Sequence, residues 1–338
     1  MAYRSRRFLV AIIAVCGWFN SAQSALAAFS EMVIFGDSLS DRGNIKDSTF
    51  GLAPNSPYSD GRFSNGAVWV ERLSSRLGLG NVVASRDGGR DFAWGAAKTG
   101  SGTTVLNPGD FIEFTAPNVG KQVSDWTASR NANASQLFTI LAGGNDLIGI
   151  LDGAPTTALT VANNIKTDVQ RLYNDGARNI LVANLPDFSK VPRFRETSKA
   201  GPAATLSTAF NSALETNLDV LETANAGLHL YRVDIHDLFN EIVANPAPYG
   251  FTNTTHRAYD GGYFSGGSVV PNSSQYVFWD DIHPTATAHL LMGDAAFAAI
   301  PEPASAMLLA MIATLTFRRS RIRQTSTTPR AESPTESR

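Results

Sequence analysis

The feature that most constrains the fold is an alternation of short apolar segments with longer segments of helical periodicity. Five segments have strand character, at residues 32–35, 81–85, 136–141, 179–183 and 228–235. Helix-like segments lie between and after them, at residues 67–77, 119–130, 156–173, 203–226 and 285–299. Such alternation favours a mainly parallel sheet. The sequence therefore predicts an α/β fold with one doubly wound, five-stranded sheet and helices on both faces.

The first strand-like segment ends on a turn that carries a serine. Residues 32–35 are apolar, and Gly36, Asp37 and Ser38 follow them directly. Glycine permits a sharp turn, and open α/β sheets bind ligands beyond the carboxyl ends of their strands. Backbone N–H groups at such a turn also point toward any negative charge that develops there. Ser38 is therefore a candidate nucleophile, and the alternative is an ordinary turn with a helix-capping serine.

A second motif, near the end of the chain, places an acid three residues before a histidine. In the segment FWDDIHPT, at residues 278–285, Asp280 precedes His283 in a tight turn before a helix. This spacing puts carboxylate and imidazole on the same side, so Asp280 can hold one ring nitrogen while the other faces a nucleophile. Asp281 is the rival acid, but its spacing turns it away. Taken alone, the motif is also compatible with a surface turn.

Two further turns offer groups that can donate to an oxyanion. Asn145 follows the apolar strand at residues 136–141, and its side-chain amide can donate a hydrogen bond at that strand end. Gly95 lies in the segment FAWGAA, where the lack of a side chain lets a backbone N–H approach the same oxyanion. The alternative for Asn145 is ordinary turn chemistry, and Gly95 by itself is uninformative.

Taken together and in this order, the four motifs resemble those of the GDSL/SGNH hydrolase family of serine esterases and lipases. The segment FGDSLSDRGN, at residues 35–44, matches the family's first signature nearly throughout, and YSDGRFSNGAVWVE, at residues 58–71, is similar to a stretch of the esterase and lipase branch. The resemblance spans residues 31–290. It implies a flavodoxin-like fold of the SGNH-hydrolase type.

The resemblance also assigns roles to five residues. It implies that Ser38 is the nucleophile and that Asp280 and His283 are the acid and the base. It implies an oxyanion hole built from the N–H of Ser38, Gly95 and Asn145. Ser40 is the nearest competing hydroxyl, and we expect it to support the turn.

The remaining chemistry-bearing residues do not form a recognisable site. The sequence has no Cys/His cluster, acidic triplet or phosphate-binding loop, so we expect neither a metal ion nor an organic cofactor. Four histidines lack a partner at a useful spacing and are expected to be structural or exposed: His229, His236, His256 and His289.

Two irregular segments, at residues 48–66 and 245–276, are expected to shape the pocket for the acyl or alcohol group. Their aromatic residues could line an apolar slot or could simply pack the loops: Phe50, Tyr58, Tyr249, Phe251, Tyr259, Tyr263 and Phe264.

Both ends of the 338-residue chain have the character of targeting sequences. Three arginines, an apolar run and the sequence Ala25-Leu26-Ala27 predict a secretory signal peptide over residues 1–27. At the other end, Pro-Glu-Pro, an apolar run and four arginines resemble a PEP-CTERM sorting signal over residues 301–323. That resemblance implies processing by an exosortase. A polar tail at residues 324–338 departs from the pattern, which normally ends the chain.

The hydrolase domain is therefore expected to span residues 28–300. This segment holds 19 basic and 27 acidic residues, a formal net charge of −8, and an acidic body without a basic stripe argues against a nucleic-acid partner. The single cysteine, Cys16, lies in the predicted signal peptide, so no disulfide is expected after cleavage.

The predicted function is that of a secreted or surface-held serine esterase or lipase, acting through an acyl-enzyme on a lipid, a small acyl ester or an acylated polysaccharide. The alternatives are a polysaccharide deacetylase, a phospholipase or an acyltransferase of the same family, or a non-catalytic surface or matrix binding protein. The expected location is the periplasm, surface or extracellular matrix of a Gram-negative bacterium, with inner-membrane contact through residues 304–323.

Overall fold

The computed structural model describes residues 29–109 and 112–301, so the predicted signal peptide, sorting segment and polar tail lie outside it. The strands are β1 (Glu31–Gly36), β2 (Thr103–Gly109), β3 (Ile112–Pro117), β4 (Gln136–Leu141), β5 (Asn179–Ala183), β6 (His229–Val233), β7 (Asn253–Arg257) and β8 (Tyr276–Phe278). The α-helices are α1 (Asn44–Ser48), α2 (Trp69–Leu77), α3 (Val119–Ser129), α4 (Gly144–Leu151), α5 (Ala158–Asp175), α6 (Pro192–Arg195), α7 (Ala200–Ala224), α8 (Ile235–Ala244) and α9 (Ala286–Ala298).

The central sheet is parallel, in the order β1-β4-β5-β6, as the alternating pattern predicts. All six residues of β4 are buried, because helices cover both faces of a parallel sheet. The register pairs Gly36 with Leu141 at the carboxyl ends of β1 and β4. The turns that follow these two strands, which carry Ser38 and Asn145, therefore begin at the same level of the sheet.

The central sheet has four strands rather than the predicted five. Residues 81–85 do not enter the sheet, and the edge beside β1 is occupied by residues 90–94, which make three backbone hydrogen bonds to β1. Residues 83–85 instead pair with Asp91 on the outer side of that segment. Gly89 makes the intervening turn possible, because a Cβ there would lie 1.9 Å from the carbonyl oxygen of Val83.

The helices form two groups that cover the sheet. Helices α2, α8 and α9 pack together in one group, and α3, α5 and α7 in the other. The expected helix at residues 156–173 corresponds to α5, whose N-cap Thr157 accepts from the N–H of Thr160. Thr285 caps α9 in the same way, accepting from the N–H of Ala288, as its position in the sequence predicts. Within residues 29–109 and 112–301, no helix is both long and apolar enough to cross a membrane.

Sequence periodicity missed several short elements. Residues 103–117, expected to be mostly loop, form the antiparallel hairpin β2–β3. The expected irregular segment at residues 245–276 contains β7, which pairs with β8. Helices α4 and α8 begin directly after strand ends where only turns or strand were expected. These elements are short and depend on contacts with other parts of the chain, so local periodicity is a weak signal for them.

Candidate active site

Ser38 lies in a tight turn directly after β1. A Cβ on Gly36 would lie 2.6 Å from the carbonyl oxygen of Leu141, so only glycine lets the two strands end this close together. The Asp37 side chain accepts from the N–H of Leu39 at 3.0 Å, and the Asp37 carbonyl accepts from the N–H of Ser40 at 3.0 Å. These bonds shape the turn and leave the Ser38 hydroxyl, in a residue only 7% exposed, pointing at His283.

Ser38, His283 and Asp280 form a continuous hydrogen-bonded chain. Ser38 Oγ lies 2.7 Å from His283 Nε2, and His283 Nδ1 lies 2.8 Å from Asp280 Oδ2. Asp280 Oδ1 accepts the backbone N–H groups of Ile282 and His283, at 2.8 and 2.7 Å, so the turn itself orients the carboxylate. Asp281 makes no hydrogen bond to the imidazole within the described chain; its carbonyl accepts from the N–H of Arg193. Asp280, rather than Asp281, therefore contacts the imidazole, as the three-residue spacing predicts.

The electrostatics of this hydrogen-bonded chain favour a charged carboxylate beside the imidazole. Burial lowers the pKa of His283, but the charge and hydrogen bond of Asp280 raise it, and the net pKa lies above its ordinary value. Burial likewise raises the pKa of Asp280, but His283 and the N–H donors lower it below its ordinary value overall. Burial raises the pKa of Asp37, next to the serine, to about 7.

One further polar group, which sequence reasoning did not assign to the site, contacts Asp280. Tyr58 donates its hydroxyl to Asp280 Oδ2 at 2.7 Å, on the same oxygen that His283 Nδ1 contacts. The Phe63 ring lies over the imidazole, with ring centroids 5.3 Å apart. Both residues belong to the segment at residues 58–71 that resembles the esterase branch, and that resemblance was the available signal.

The structure gives the predicted oxyanion donors different surroundings. Asn145 Nδ2 donates to the carbonyl of Ala97 at 3.0 Å, which uses one of its two amide hydrogens, and Asn145 lines the same cavities as Ser38. Gly95 also lines one cavity, but its N–H donates to Asp41 Oδ2 at 2.8 Å. The Gly95 N–H, which was expected to face an oxyanion, is therefore already paired with a buried carboxylate in this structure.

The neighbouring residue offers an N–H in place of Gly95. Ala96 has a positive φ of 61°, which is uncommon for a residue with a side chain. Ala96 lines the same cavity as Ser38 and Asn145, and its N–H has no hydrogen-bond acceptor among the described residues. Sequence reasoning missed Ala96, because an alanine in the sequence gives no indication that its φ is positive.

A buried carboxylate holds the first signature and the Gly95 segment together. Asp41 is fully buried and accepts four backbone N–H groups, from Gly43, Asn44, Ile45 and Gly95. Burial raises the pKa of Asp41 to about 6, although the four N–H donors act to lower it. The later residues of the signature therefore fix the loop around the serine rather than touch the serine itself.

Ser38 and His283 stand where two cavities meet. The first, here called the helix-side cavity, has an apolar wall, made by Leu39, Ile148, Leu185, Pro186, Phe188, Val191, Ile235, Phe239, Phe278, Ile282, Pro284 and Met292. The second, the loop-side cavity, is lined by Ile45, Ala53, Phe63, Gly95, Ala96, Leu106, Tyr263, Phe264 and Ile282. Asn145 also lines both cavities.

The other sequence candidates lie away from this hydrogen-bonded chain. Ser40 Oγ accepts from the indole N–H of Trp69 at 3.0 Å, so it supports the turn as expected. His289 is buried, accepts from the N–H of Trp69 at 3.3 Å, and has its pKa lowered by burial to about 3. His229 and His256 are exposed.

One group of described residues could offer three ligand atoms to a metal ion, namely Asp234, His236 and Asp237. Asp234 Oδ1 already accepts from the Asp237 N–H, as the N-cap of α8, and from the Asn184 amide. The group is therefore accounted for by the start of this helix.

The geometry agrees with a comparison against known protein families. The profile described as GDSL-like lipase/acylhydrolase matches residues 32–296, which include Ser38, Asn145, Asp280 and His283. The chain belongs to the GDSL-like lipase/acylhydrolase family. As a member, it is an ester-hydrolysing serine hydrolase, and the expectation of an enzyme of this type is confirmed.

Individual relatives align with most of the chain. A phosphatidylcholine-sterol acyltransferase of Aeromonas hydrophila is 25% identical, covering 90% of this chain and 97% of its own length. A GDSL esterase/lipase of Arabidopsis thaliana is 27% identical, covering 79% of this chain and 81% of its own. Among solved structures, an acetylxylan esterase of Geobacillus stearothermophilus is 13% identical with a TM-score of 0.47, covering 81% of this chain and 95% of that one.

Proposed function

We propose that this GDSL hydrolase cleaves carboxylic esters through an acyl-enzyme on Ser38, with His283 as the base and Asp280 as the residue that orients it. The observation that carries the proposal is the continuous hydrogen-bonded chain from Ser38 Oγ to Asp280, with distances of 2.7 and 2.8 Å, at the junction of two cavities. A nucleophile, a base and an orienting acid within hydrogen-bonding distance are what acyl transfer by serine requires.

The proposed reaction proceeds in two balanced steps. Ser38 Oγ attacks the ester carbonyl carbon while His283 Nε2 takes the hydroxyl proton. The tetrahedral intermediate then expels the alkoxide, which leaves as an alcohol after receiving that proton. In the second step, water attacks the acyl-enzyme, His283 takes one water proton, and the collapse returns the proton to Ser38 Oγ and releases the carboxylic acid. Asp280 stays ionised throughout and holds the imidazolium.

We assign the oxyanion hole to three donors. The N–H of Ser38, the second amide hydrogen of Asn145 and the N–H of Ala96 have no other hydrogen-bond acceptor among the described residues, and all three residues line the loop-side cavity. Ala96 takes the place first expected for Gly95, whose N–H is held by Asp41. Removal of one such donor typically costs on the order of 3 kcal/mol of activation free energy.

The helix-side cavity supports an ester with an apolar acyl group as substrate. Twelve of its lining residues are apolar, and its polar side chains are those of Asp37, Ser38, Asn145 and His283. An apolar acyl chain would bury its surface there, at roughly 0.8 kcal/mol for each methylene group. The acyl group is therefore assigned to this cavity and the alcohol group to the loop-side cavity.

Acyl transfer to an alcohol is a second candidate function. It is favoured by the alignment over 97% of the length of a relative named phosphatidylcholine-sterol acyltransferase. The two activities share the acyl-enzyme and differ in whether water or an alcohol attacks it. Product analysis in the presence of an added alcohol would distinguish them: new ester supports acyl transfer, and free acid alone supports hydrolysis.

Covalent labelling tests the nucleophile. A fluorophosphonate probe should label the wild-type enzyme and fail to label Ser38→Ala. Ser40→Ala serves as the neighbouring control: it removes the acceptor of the Trp69 indole and should lower the melting temperature, but it should retain labelling. Labelling that persists in folded Ser38→Ala would overturn the proposal.

A chain-length series tests the cavity assignment. p-Nitrophenyl esters of increasing acyl length should show an optimum beyond acetate, and Ile148→Trp, which narrows the helix-side cavity, should move that optimum to shorter chains. Leu106→Trp, which narrows the loop-side cavity, should leave the acyl optimum unchanged. The reverse pattern would assign the acyl group to the loop-side cavity instead.

We also propose that the enzyme is exported and is held at the inner membrane by residues 304–323, with exosortase processing as a later step. The support lies in the terminal sequence patterns alone: arginines before an apolar run at the start of the chain, and Pro-Glu-Pro, an apolar run and arginines near its end.

A further inference from the structure

Asp280 has a second side-chain donor besides the histidine. Tyr58 donates its hydroxyl to Asp280 Oδ2 at 2.7 Å, and His283 Nδ1 lies 2.8 Å from the same oxygen. We propose that Tyr58 is a positioning residue, which orients the Asp280 carboxylate and limits the basicity that Asp280 passes to His283. This inference rests on the proposed roles of Ser38, His283 and Asp280.

Asp280 accepts four hydrogen bonds, and its two carboxylate oxygens accept them from different kinds of donor. Oδ1 accepts two backbone N–H groups of its own turn, from Ile282 and His283. Oδ2 accepts from the imidazole and from the Tyr58 hydroxyl. The backbone bonds fix one edge of the carboxylate, and Tyr58 fixes the rotation that places Oδ2 opposite Nδ1. Without Tyr58, Oδ2 would be held by the imidazole alone.

The phenol is held as a donor by its surroundings. Tyr58 is only 5% exposed, and its ring packs edge-on against Tyr259 and Trp279, with centroids 5.4 and 6.1 Å apart. Burial raises the pKa of the Tyr58 hydroxyl well above its ordinary value, and the adjacent Asp280 charge raises it further. The hydroxyl therefore keeps its proton at any working pH and can only donate to the carboxylate.

The loop that carries Tyr58 is tied to the body at several points. The N–H of Tyr58 donates to the Asn55 carbonyl, and the N–H of Asn55 donates to the carbonyl of Tyr263 on the opposite loop. Arg62 makes a bidentate pair with Glu71 of α2, at 2.7 and 2.8 Å. These bonds fix the position of the hydroxyl, so Tyr58 does more than line a slot or pack a loop.

The direction of the effect on pH dependence follows from charge. A hydrogen bond donated to Oδ2 draws negative charge away from the imidazole, so it lowers the pKa of His283 relative to a carboxylate without that bond. Removal of the hydroxyl should therefore raise the pKa of His283. The acid limb of kcat/KM would then move to higher pH, and kcat would fall because the imidazole is less well oriented.

The test compares Tyr58→Phe with the matched variant Tyr259→Phe. Tyr259 belongs to the same buried aromatic cluster, but its hydroxyl donates to the Ser265 carbonyl at 2.9 Å and does not touch Asp280. We expect Tyr58→Phe to lower kcat on the order of 10-fold, with KM little changed, and to move the acid limb upward by about half a pH unit or more. Tyr259→Phe should lower the melting temperature and leave the acid limb in place.

A double-mutant cycle and a spectroscopic measurement isolate the contact. In the Asp280→Asn background, Tyr58→Phe should cause no further shift of the pH profile, because the shared carboxylate is gone. Relative to the wild-type protein, the downfield proton resonance of the imidazole N–H should shift in Tyr58→Phe and should stay in place in Tyr259→Phe.

The outcomes separate this inference from the proposed function. If folded Tyr58→Phe keeps the wild-type kcat, pH profile and N–H resonance, Tyr58 only packs the loop and the inference is overturned. If the wild-type enzyme is not labelled by the fluorophosphonate probe, the proposed function itself fails. Equal shifts of the acid limb in Tyr58→Phe and Tyr259→Phe would show that general loosening of the cluster, rather than the hydroxyl, moves the pKa.

Discussion

At the scale of single residues, the contrast between Asp280 and Asp281 illustrates how one position in the chain changes the chemistry. Asp280 is buried and lies on the imidazole, whereas Asp281 is partly exposed and directs its carbonyl to Arg193. Spacing in the sequence was sufficient to predict this choice, because a tight turn brings residues three apart onto the same side.

This contrast predicts that two isosteric substitutions lower kcat by unequal factors. Asp280→Asn should lower kcat by several orders of magnitude, since an amide stabilises the wrong imidazole tautomer and does not stabilise the imidazolium. Asp281→Asn should change kcat by less than about 10-fold. Steady-state kinetics on an activated ester would check this, with circular dichroism as the control for folding; equal losses in two folded variants would contradict the assignment of Asp280.

The raised pKa of His283 predicts the pH dependence of the free enzyme. Only the neutral imidazole can accept the Ser38 proton, and the net effect of burial and of Asp280 places the pKa above the ordinary value of 6.5. Activity should therefore fall as the pH drops, with the midpoint of the acid limb in kcat/KM above pH 6.5. A profile that is flat between pH 5 and 8 would argue against a histidine base.

At the scale of secondary-structure elements, the packing of α9 against α2 depends on a glycine within the helix. A Cβ on Gly293 would lie 2.7 Å from the backbone carbonyl oxygen of Trp69 and 2.5 Å from Cβ of Arg72. Since a backbone atom cannot move away as a flexible side chain can, the two helices would have to separate. This packing is relevant to the site because Thr285 and His283 lie directly before α9.

The prediction is that Gly293→Ala destabilises the protein by roughly 1–3 kcal/mol, despite the better helix propensity of alanine. Gly149→Ala in α4 is the matched control: its Cβ would lie 3.6 Å from the nearest atom, so it should stabilise by about 0.5–1 kcal/mol. Chemical denaturation of both variants measures the free energies of unfolding. A stabilised Gly293→Ala would show that the helices adjust at little cost.

At the scale of the whole molecule, residues Phe29–Ile300 form one compact unit by themselves. The last described helix, α9, packs its buried face on α2, and Ile300 still contributes to the core at 8% exposure. We therefore expect the hydrolase core to end near residue 300. The segments proposed to direct export and membrane attachment lie outside the described residues.

Deletion of residues 301–338 should therefore leave a folded and active enzyme. In cells, the truncated protein should move from the membrane fraction to the soluble periplasmic or extracellular fraction, because the proposed anchor is gone. Fractionation with activity assays measures this, and mass spectrometry of the full-length protein reports whether its C-terminus is cleaved near Pro301. A truncated protein that fails to fold would assign the segment to the core, and an intact Arg338 on surface-localised protein would exclude removal by an exosortase.

The sequence by itself determined the α/β class and the identity of the Ser38, His283 and Asp280 chain. These features are encoded locally: strands and helices through their periodicity, the serine through its place at a strand end, and the acid–histidine pair through a three-residue spacing. The order of the motifs along the chain then sufficed for the family.

Only the tertiary structure decided which groups meet across long separations. Tyr58 reaches Asp280 from 222 residues away, Asp41 takes the N–H of Gly95 from 54 residues away, and residues 90–94 displace residues 81–85 from the sheet edge. None of these contacts leaves a local periodicity, because each depends on where separate loops are placed by the folded core. The Ala96 N–H and the Tyr58 hydroxyl were therefore beyond the reach of sequence, since the free energy that selects them arises from burial and hydrogen bonding between distant segments.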